Sequence, residues 1–314
     1  MTRYAIINPR SGGGRTKARI GEIRTRLNAA LGETELLLTD APLAAERLTR
    51  EVLKRGATHI IGVGGDGTIS ECVNGFFEHG RAISPAASFS PLMSGTGGDF
   101  KRTFGLDDDM AKTIARIAAA RARPIDVAHV TLMSRHGKSI NRHFINIGSF
   151  GLSGAVVNAV NRARLSKMFG GRFAYFFNSA KAALTYRSKR IRLKVDGVFD
   201  DEVDMSTVAI CNGKYFGGGM MVAPDADPAD GAFDIIVLAG GPKRDVLREL
   251  NTIYTGDHIK NPRVKVMRGQ RVIAAPIGGD KSNAGPVLIE LDGEQPGQLP
   301  ATFTIMPGAL QLRV

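Results

Sequence analysis

Acidic residues inside glycine-rich loops are the residues of this chain best suited to chemistry. Asp66 lies in Gly62-Val-Gly-Gly-Asp-Gly67, between an apolar run and an amphipathic segment. The amide groups of such a loop, and the positive N-terminal end of the helix after it, can hold phosphate oxygens. A carboxylate in the loop can hold the divalent cation that accompanies a phosphate. The sequence therefore predicts a phosphate site at Asp66; a tight turn in which Asp66 caps the helix is the alternative.

Two further glycine clusters also follow predicted strands. They are Asn8-Pro-Arg-Ser-Gly-Gly-Gly-Arg15 and Ser94-Gly-Thr-Gly-Gly-Asp99. One such run is as often a flexible turn as an anion cradle, but three after successive strands favour a shared phosphate site. Residues 62–67 also fit the dinucleotide pattern G-x-G-x-x-G. We disfavour that reading because Asp66 would repel a pyrophosphate and no acidic residue ends the next strand candidate, Ala82 to Ser84.

A second pair of carboxylates follows the predicted strand Val287 to Leu291, in Asp292-Gly-Glu294. A carboxylate beside an alcohol can take its proton as the oxygen attacks a phosphate. On a regular strand Asp292 and Glu294 would face the same side, whereas Gly293 is equally compatible with a turn. An ordinary Asp-Gly hairpin turn is the alternative interpretation.

Strands and helices alternate in the first third of the chain, which predicts a largely parallel sheet with helices on its faces. The predicted strands are Tyr4 to Ile7, Glu35 to Leu38 and Thr58 to Val63, and the predicted helices are Thr16 to Leu31 and Leu43 to Arg55. Thr68-x-x-Glu71 predicts a capping box for the next helix. Its apolar face would carry Ile69, Cys72, Val73, Phe76 and Phe77.

After about Pro124 the pattern changes to short alternating segments, which predicts an antiparallel β-sandwich. The segments are Phe144 to Ile147, Ile191 to Val195, Val208 to Cys211, Phe233 to Leu238, Val287 to Leu291 and Thr302 to Ile305. We therefore predict an α/β domain over 1–124 and an all-β domain over 125–314, with the active site in the cleft between them. Whether the C-terminal tail packs back on the first domain is left open.

Length and composition narrow the class of protein. The chain has 314 residues, 43% hydrophobic and 23% charged, which excludes a disordered or fibrous protein and favours two domains. Cys72 and Cys211 form neither a disulfide framework nor a metal-ligand spacing, which favours a reducing compartment. No run approaches the roughly 18 apolar residues of a spanning helix, and no signal peptide is evident. We expect a cytoplasmic protein.

The formal net charge is +12, and ten basic and no acidic residues lie between Arg162 and Lys194. Basic residues interleaved with bulky apolar ones are typical of an interfacial element, so we expect this segment to bind the inner face of an anionic membrane. Thr16 to Arg26 could extend the same surface. Aromatic core residues beneath a solvated basic face are the alternative. No base-reading motif supports nucleic acid as the partner, and the oligomeric state is left open.

Six motifs in chain order resemble the diacylglycerol kinase catalytic family, the superfamily of bacterial soluble lipid kinases that includes sphingosine and ceramide kinases. They are Asn8-Pro-x-Ser-Gly-Gly, Gly64-Gly-Asp-Gly-Thr68, Gly95-Thr-Gly-Gly-Asp99, Asn212-Gly-Lys-Tyr-Phe-Gly-Gly-Gly-Met220, Pro224-Asp-Ala-x-x-x-Asp-Gly231 and Asp292-Gly-Glu294. The second motif is shared with NAD kinases, so the later motifs carry the distinction.

The resemblance implies a nucleotide-binding α/β domain, a β-sandwich domain and a set of ATP contacts. The contacts would be Asn8, Arg10, Ser11, Gly12, Gly13, Thr39, Gly64, Gly65, Asp66, Gly67, Thr68, Ile69, Ser70 and Thr96. Asp66 and Asp99 would act in catalysis by positioning metal or phosphate. Gly98 stands where the family usually has Asn.

The resemblance also implies a base and a magnesium site in the second domain. We expect Asp292 to be the base, with Glu294 supporting it or exchanging roles. Asp230 would bind Mg²⁺ through its side chain, and Asp227 and Ala232 through their carbonyl oxygens; a solvated acidic turn without metal is the alternative. The predicted activity is an ATP- and Mg²⁺-dependent kinase acting on diacylglycerol, ceramide or a sphingoid base. A kinase of small molecules similar to NAD kinase, and a non-catalytic protein that binds lipid or nucleic acid, are the alternatives.

Overall fold

A computed structural model describes residues 2–94, 98–107, 109–153, 188–239, 252–278 and 285–314. The chain divides into two compact units. The first contains Met1–Val127 together with Met306–Val314, and the second contains Ala128–Ile305. The first unit is therefore built from both ends of the sequence.

The first unit has a parallel sheet. Its strands are β1 (Arg3–Ile7), β2 (Glu35–Leu38), β3 (His59–Gly64), β6 (Ser88–Met93) and the last residues of β18 (Glu294–Leu312), with a small separate hairpin of β4 (Phe77–Glu78) and β5 (Arg81–Ala82). The order across the parallel sheet is β18, β6, β3, β1, β2. Because all neighbours are parallel, the loops after β1, β3 and β6 leave the same edge of the sheet.

The helices of the first unit are α1 (Arg15–Ala18), α2 (Ile20–Leu31), α3 (Ala44–Lys54), α4 (Asp66–Gly75), α5 (Asp99–Phe104) and α6 (Met110–Ala119), and a 3-10 turn spans Ser11–Gly14. Ile23, Leu27 and Ile114 bury apolar faces of α2 and α6 against β1 and β3. The single helix predicted over Thr16 to Leu31 is wrong, because the backbone leaves helical geometry at Arg19 (φ −101°, ψ 2°).

The last residues of β18 are held in the first unit by several contacts. Gln311 and Leu312 pair with Ser88 and Phe89 of β6. The Arg313 guanidinium donates hydrogen bonds to the carbonyl oxygens of residues 117 and 118, at the C-terminal end of α6. These contacts satisfy helix carbonyls that have no partner within the helix.

The second unit is almost entirely antiparallel. Its strands, beside the start of β18, are β7 (Arg123–Ser134, which begins in the first unit), β8 (Ser139–Phe144), β9 (Ile147–Gly151), β10 (Lys189–Val195), β11 (Phe199–Cys211), β12 (Tyr215–Phe216), β13 (Met220–Met221), β14 (Phe233–Ala239), β15 (Val264–Gly269), β16 (Arg271–Pro276) and β17 (Leu288–Leu291). A 3-10 turn spans Asp257–Lys260. The predicted antiparallel β domain is confirmed.

Buried residues of these strands form two apolar clusters. In the larger one, Phe303 packs against Phe144 and Phe150, and Phe144 also stacks on Phe233. The strand predicted over Phe144 to Ile147 is wrong: β8 ends at Phe144 and β9 begins at Ile147, with a turn between them.

Within the part of the chain that the structure describes, no helix is both long enough and apolar enough to cross a bilayer.

Candidate functional site

The first two glycine loops of the first unit are joined by side-chain hydrogen bonds. Asn8, directly after β1, donates from Nδ2 to the Thr68 hydroxyl in the first turn of α4, at 3.0 Å. Its Oδ1 accepts the amide of Arg10 at 2.9 Å, which shapes the first loop. At Gly64 a Cβ would lie 2.4 Å from Thr68 Oγ1, so only glycine allows this approach. The predicted residues of these two loops therefore lie together.

Three hydroxyl groups connect the first loop to the end of β6. Ser11 and Ser94 lie 2.9 Å apart, Thr16 and Ser94 2.9 Å, and Ser11 and Thr16 2.7 Å. A Cβ at Gly12 would lie 2.6 Å from the Ser94 carbonyl oxygen. Thr16 and Ser94 were absent from the predicted site. Their one sequence signal was their place beside glycine runs, and only the parallel sheet brings them together.

The carboxylates of Asp66 and Asp99 are neighbours at this edge of the sheet. Each residue is the first of its helix, α4 and α5 respectively. The Asp66 carboxylate accepts a hydrogen bond from the Gly98 amide, and Arg102 lies 3.3 Å from the Asp99 carboxylate. Asp66 Oδ1 is buried and has no hydrogen-bond donor. A Cβ at Gly98 would meet only Arg102 Nη1, at 3.4 Å, so the position that is usually Asn has space for a side chain.

The electrostatics of this pair are unfavourable without a cation. Burial, and then the charge of Asp99, raise the pKa of the Asp66 carboxyl from 3.8 to about 6. The Gly98 amide and Arg102 act in the opposite direction but are outweighed. Asp66 is therefore a half-buried anion, with a buried Oδ1, whose described neighbours do not neutralise it.

The donor set fits Mg²⁺. This ion commonly takes one or two protein carboxylates and completes its shell with substrate oxygens and water. Asp66 and Asp99 provide two carboxylates, and Asp66 Oδ1 provides an oxygen that the protein leaves without a donor. Among the described residues, no group of three or more His, Cys, Asp or Glu side chains could hold a metal without such help.

The predicted capping box of α4 is wrong. The helix begins at Asp66, and its N-cap, Gly65, makes no side-chain hydrogen bond. The Glu71 carboxylate instead accepts the amides of Leu43 and Ala45, both at 3.1 Å, at the start of α3. Glu71 thus caps α3 and not α4, the helix that contains it. All five residues of the predicted apolar face are buried, but only Ile69, Cys72 and Val73 lie in α4, because the helix ends at Gly75 and Phe77 belongs to β4.

The remaining predicted nucleotide contacts lie around this edge. The amide of Thr39, directly after β2, donates to the Ile7 carbonyl at 2.9 Å, and Ile69 and Ser70 are buried in α4. Thr96 lies outside the described residues. A pocket of about 490 Å³ opens beside the first loop and is lined by Pro9, Arg10, Gly13, Gly14, Lys17, Ile20 and Leu38.

In the second unit, Asp292 binds backbone. Its Oδ2 accepts the amide of Ile145 at 3.0 Å, and its Oδ1 accepts those of Asn146 and Ile147 at 3.1 and 3.0 Å. The Asp292 amide in turn donates to the Ile147 carbonyl at 3.0 Å. Both oxygens of the predicted base therefore hold the turn between β8 and β9.

The same turn binds the fourth motif. Asn212 donates from Nδ2 to the Ile145 carbonyl at 2.8 Å. The amides of Asn212 and Gly213 donate to the Asn146 carbonyl at 2.9 and 2.7 Å, and Asn146 Nδ2 donates to the Tyr215 carbonyl at 2.6 Å. Asn212 belongs to the fourth motif, whereas no sequence pattern marks Asn146, because its contacts are with residues distant in sequence.

Glu294 lies at the other end of the Asp-Gly turn. Leu291 pairs with Glu294, and the two residues between them, Asp292 and Gly293, have φ values of 47° and 90°. Positive φ at both central residues is typical of a type I′ hairpin, for which Asp-Gly is a favoured sequence. Of the two local geometries, a regular strand and a turn, the structure has the turn. The Glu294 side chain is exposed, in contrast to the backbone-bound carboxylate of Asp292.

The predicted magnesium residues of the second unit have protein partners. Arg268 donates a hydrogen bond to the Asp230 carboxylate, which also accepts the Ala232 amide at 3.0 Å. The Asp227 side chain accepts the Ala229 amide at 3.0 Å. A cation at Asp230 would have to displace the Arg268 guanidinium, so this donor set does not fit Mg²⁺ as it stands. The site remains a prediction.

The basic segment can be followed only from Ser188 onward, because residues 162–187 lie outside the described part of the chain. In β10, Arg190 pairs with Glu202 at 2.8 Å and Arg192 with Asp200 at 2.7 Å. Lys194 also lies 3.5 Å from Asp200. These three cations thus share two carboxylates of the second unit, and the membrane surface stays a prediction.

Glycine loops at one edge of a parallel sheet, followed by an antiparallel β domain, define a kinase of the architecture that diacylglycerol kinases and NAD kinases share. Two family models match the chain. The diacylglycerol kinase catalytic domain covers residues 3–130, and the YegS C-terminal NAD kinase beta sandwich-like domain covers residues 146–314. The chain belongs to the diacylglycerol kinase catalytic family, which confirms the family expected from the motifs.

Relatives of similar length share this assignment. A diacylglycerol kinase of Staphylococcus haemolyticus is 30% identical over 307 residues, covering 95% of this chain and 83% of that protein. One from Staphylococcus carnosus is 29% identical over 305 residues, covering 95% and 90%.

Solved structures show the same fold. A diacylglycerol kinase crystal structure from Bacillus anthracis superposes with a TM-score of 0.69 at 20% identity, covering 99% of this chain and 96% of that one. An NAD kinase from Archaeoglobus fulgidus, in complex with ATP, superposes with a TM-score of 0.50 at 15% identity, covering 99% and 92%. The fold is thus common to both kinds of kinase.

Proposed function

We propose that this protein is an ATP- and Mg²⁺-dependent lipid kinase that transfers the γ-phosphate to a hydroxyl group of a membrane lipid. The observation that carries the proposal is the buried Asp66 carboxylate, which lies beside Asp99 with one oxygen that has no donor. A buried anion of this kind is stabilised when a cation binds it. A metal bound to a polyphosphate, at the edge where three glycine loops meet, meets that need.

The surrounding groups suit a triphosphate. The N-terminal ends of α4 and the loop Ser11–Gly14 present backbone amides, which attract phosphate oxygens. The Asn8 and Thr68 pair and the Ser11 hydroxyl set the shape of the loops that would cradle the phosphates. Mg²⁺, when bound by Asp66 and Asp99, would neutralise charge on the transferred phosphoryl group.

Glu294, not Asp292, is the proposed proton acceptor. Three backbone amides already occupy most of the acceptor positions of the Asp292 carboxylate, so fewer are left for the proton of an alcohol. Glu294 is exposed at the end of that turn, where an alcohol can reach it. This assignment reverses the expectation from the motif, in which Asp292 was the base and Glu294 its support.

The proposed reaction transfers one proton and one phosphoryl group. The Glu294 carboxylate takes the proton of the acceptor hydroxyl while the oxygen forms a bond to the γ-phosphorus of ATP. The bond from that phosphorus to the β,γ-bridging oxygen breaks, and ADP leaves with the electron pair. The proposal requires Glu294 to reach an alcohol placed at the γ-phosphate, so a crystal soaked with nucleotide and showing Glu294 far from that phosphate would refute it.

The acceptor class follows from the relatives rather than from a visible pocket. The curated relatives that cover nearly the whole chain are named diacylglycerol kinases. We therefore propose diacylglycerol first, with ceramide and sphingoid bases as acceptors that offer a similar hydroxyl. Since such lipids stay in a bilayer, the enzyme would work at the inner membrane surface, with Lys17 and Arg24 of the first unit as exposed cations that could face it.

The test is to incubate the purified protein with labelled ATP, Mg²⁺ and, separately, vesicles containing diacylglycerol, ceramide or sphingosine, and NAD in solution. Label in diacylglycerol, abolished by EDTA, supports the proposal. Label in NAD alone would replace it with the NAD kinase alternative, which the shared fold keeps open. The Asp66→Asn protein is the matched negative control.

A further inference from the structure

Glu290 is a buried carboxylate that neither the proposed reaction nor the family motifs use. It lies in β17, directly opposite Ser149 of β9, and both side chains are fully buried, each with 0% exposure. The Ser149 hydroxyl donates to Glu290 Oε2 at 2.6 Å. The other oxygen, Oε1, accepts the amide of Gly293 in the Asp-Gly turn. Glu290 therefore connects the middle of β9 to the turn that ends in Glu294.

The turn is held from two sides by different carboxylates. Asp292 accepts the three amides of residues 145–147, and Glu290 accepts the amide of Gly293. Gly293 is the residue next to Glu294, so its amide plane fixes the direction in which the Glu294 backbone continues. Acceptors at two residues of the same hairpin, Glu290 and Asp292, therefore restrict the turn.

Removing a carboxylate from water is costly, so a buried carboxylate needs hydrogen-bond donors around it. Ser149 and Gly293 provide two donors to Glu290. Donors that hold a buried charge beside a residue proposed to react are expected where geometry matters for the reaction.

We infer that Glu290 is a positioning residue for Glu294: it holds the Gly293 amide so that the Glu294 carboxylate is presented to the acceptor hydroxyl in one orientation. The inference rests on the proposed function. Glu290 does not touch the substrate in this role. It acts through the turn, and Ser149 keeps its carboxylate in place.

Two substitutions separate positioning from charge. Glu290→Gln can keep both hydrogen bonds, because its amide oxygen can accept from Gly293 while its amide nitrogen donates to the Ser149 oxygen. Glu290→Leu is similar in size but leaves the Gly293 amide and the Ser149 hydroxyl without this acceptor. Ser149→Ala removes only the lateral contact and should have an intermediate effect.

The experiment measures kcat and the KM values for ATP and diacylglycerol vesicles, per mole of folded protein, for the full-length wild type and the three variants. Amide hydrogen exchange of the peptide containing Gly293 is measured in parallel. For Glu290→Leu we expect kcat to fall on the order of 100-fold, as for a displacement of about 1 Å, with the KM for ATP unchanged and faster exchange at Gly293. Glu290→Gln should restore most of kcat and slow exchange.

The outcomes are distinguishable. A Glu290→Leu protein with wild-type kcat overturns the inference and leaves the proposed function intact. A purely structural role predicts lower thermal stability but unchanged kcat per folded molecule, and this result also overturns it. Loss of kcat in Glu290→Gln as large as in Glu290→Leu would show that charge and not positioning matters. A wild type that phosphorylates no lipid refutes the proposed function itself.

Discussion

The two units treat their charged side chains differently. In the first, Asp66 and Asp99 lie together at the edge of the sheet, and one buried oxygen of Asp66 has no donor. In the second, the carboxylates of Asp292 and Asp230 accept hydrogen bonds from backbone amides or from arginine, and the exposed cation Arg192 has Asp200 beside it. We expect the first kind of carboxylate to bind a ligand and the second kind to stabilise the fold.

The same Asp-Gly sequence has different surroundings in the two units. Asp66 and Asp292 are both aspartates followed by glycine in family motifs, and both were expected to be catalytic. Their surroundings differ, since the Asp292 carboxylate accepts three backbone amides whereas Asp66 Oδ1 has no donor among the described residues. We therefore expect Asp292 to serve mainly the fold and Asp66 to bind a cation. The following predictions would break or sharpen this division.

The largest effect is expected at Glu294. Replacing it with glutamine removes the proposed proton acceptor at an exposed position and keeps the size of the side chain, so kcat should fall about 10²- to 10⁴-fold while the melting temperature changes little. Steady-state kinetics and thermal unfolding of Glu294→Gln check this. Glu202→Gln, another exposed glutamate of the second unit, is the matched control and should keep full activity. Undiminished transfer in Glu294→Gln would return the role of base to Asp292.

The second-largest effect is expected on the stability of the Asp292→Ala protein. Asp292→Ala leaves the amides of the 145–147 turn without their acceptor, and we expect the free energy of unfolding to drop by about 3 kcal/mol. Urea denaturation measures this. Asp204→Ala, at an exposed position of β11, should change stability little. If Asp292→Ala were as stable as the wild type but inactive, Asp292 would belong with Asp66 among the ligand-binding groups.

Substitution of Asp66 should raise the free energy of unfolding, whereas substitution of Asp292 should lower it. Its pKa is raised to about 6 in the folded state, so the ionised carboxylate destabilises the protein above that pH and the penalty disappears as the pH falls toward 4. In EDTA at pH 7.5, Asp66→Asn should therefore unfold with a free energy about 2 kcal/mol higher than the wild type.

That gain should shrink as the pH is lowered from 6 to 4, and saturating Mg²⁺ with ATP should stabilise only the wild type. Denaturation curves at several pH values, with and without Mg²⁺ and ATP, give the comparison. A Asp66→Asn protein that is less stable than the wild type in EDTA at pH 7.5 would place Asp66 among the structural aspartates.

The smallest effect is expected at Arg192. Because Asp200 lies 2.7 Å away and both side chains are exposed, Arg192→Gln should change stability by less than about 0.5 kcal/mol. Its sedimentation with phosphatidylglycerol vesicles should also be unchanged. Arg24→Gln, which removes an exposed cation of α2, is the contrasting variant and should weaken vesicle binding. A weaker response at Arg24 than at Arg192 would relocate the membrane surface to the second unit.

Local patterns were sufficient for most of the first unit. The strands around Ile7 and Val63 and the helix from Ala44 follow from hydrophobic periodicity, and their glycine loops follow from residue type. The convergence of these loops was also predictable, because parallel strands end at one edge. What the periodicity could not show was the break at Arg19 inside an otherwise continuous amphipathic pattern.

The errors share a physical cause, which is contact between residues distant in sequence. The turn that interrupts Phe144 to Ile147 is held by Asp292, 146 residues from Asn146. Glu71 has a good capping spacing but caps a helix 28 residues earlier. The register of β10 and β11 likewise places Asp200 and Glu202 beside the cations of β10, which periodicity along one strand cannot show; the membrane surface itself stays a prediction.

The return of the chain to its first unit has a consequence for synthesis. The strand next to β6 is contributed by Gln311 and Leu312, and the Ser90 hydroxyl donates to the Arg313 carbonyl at 2.5 Å. A ribosome makes these residues only after the whole second unit. A nascent chain that has emerged only up to residue 305 therefore lacks one strand of the parallel sheet. We expect tight ATP binding only after residues 306–314 have left the exit tunnel.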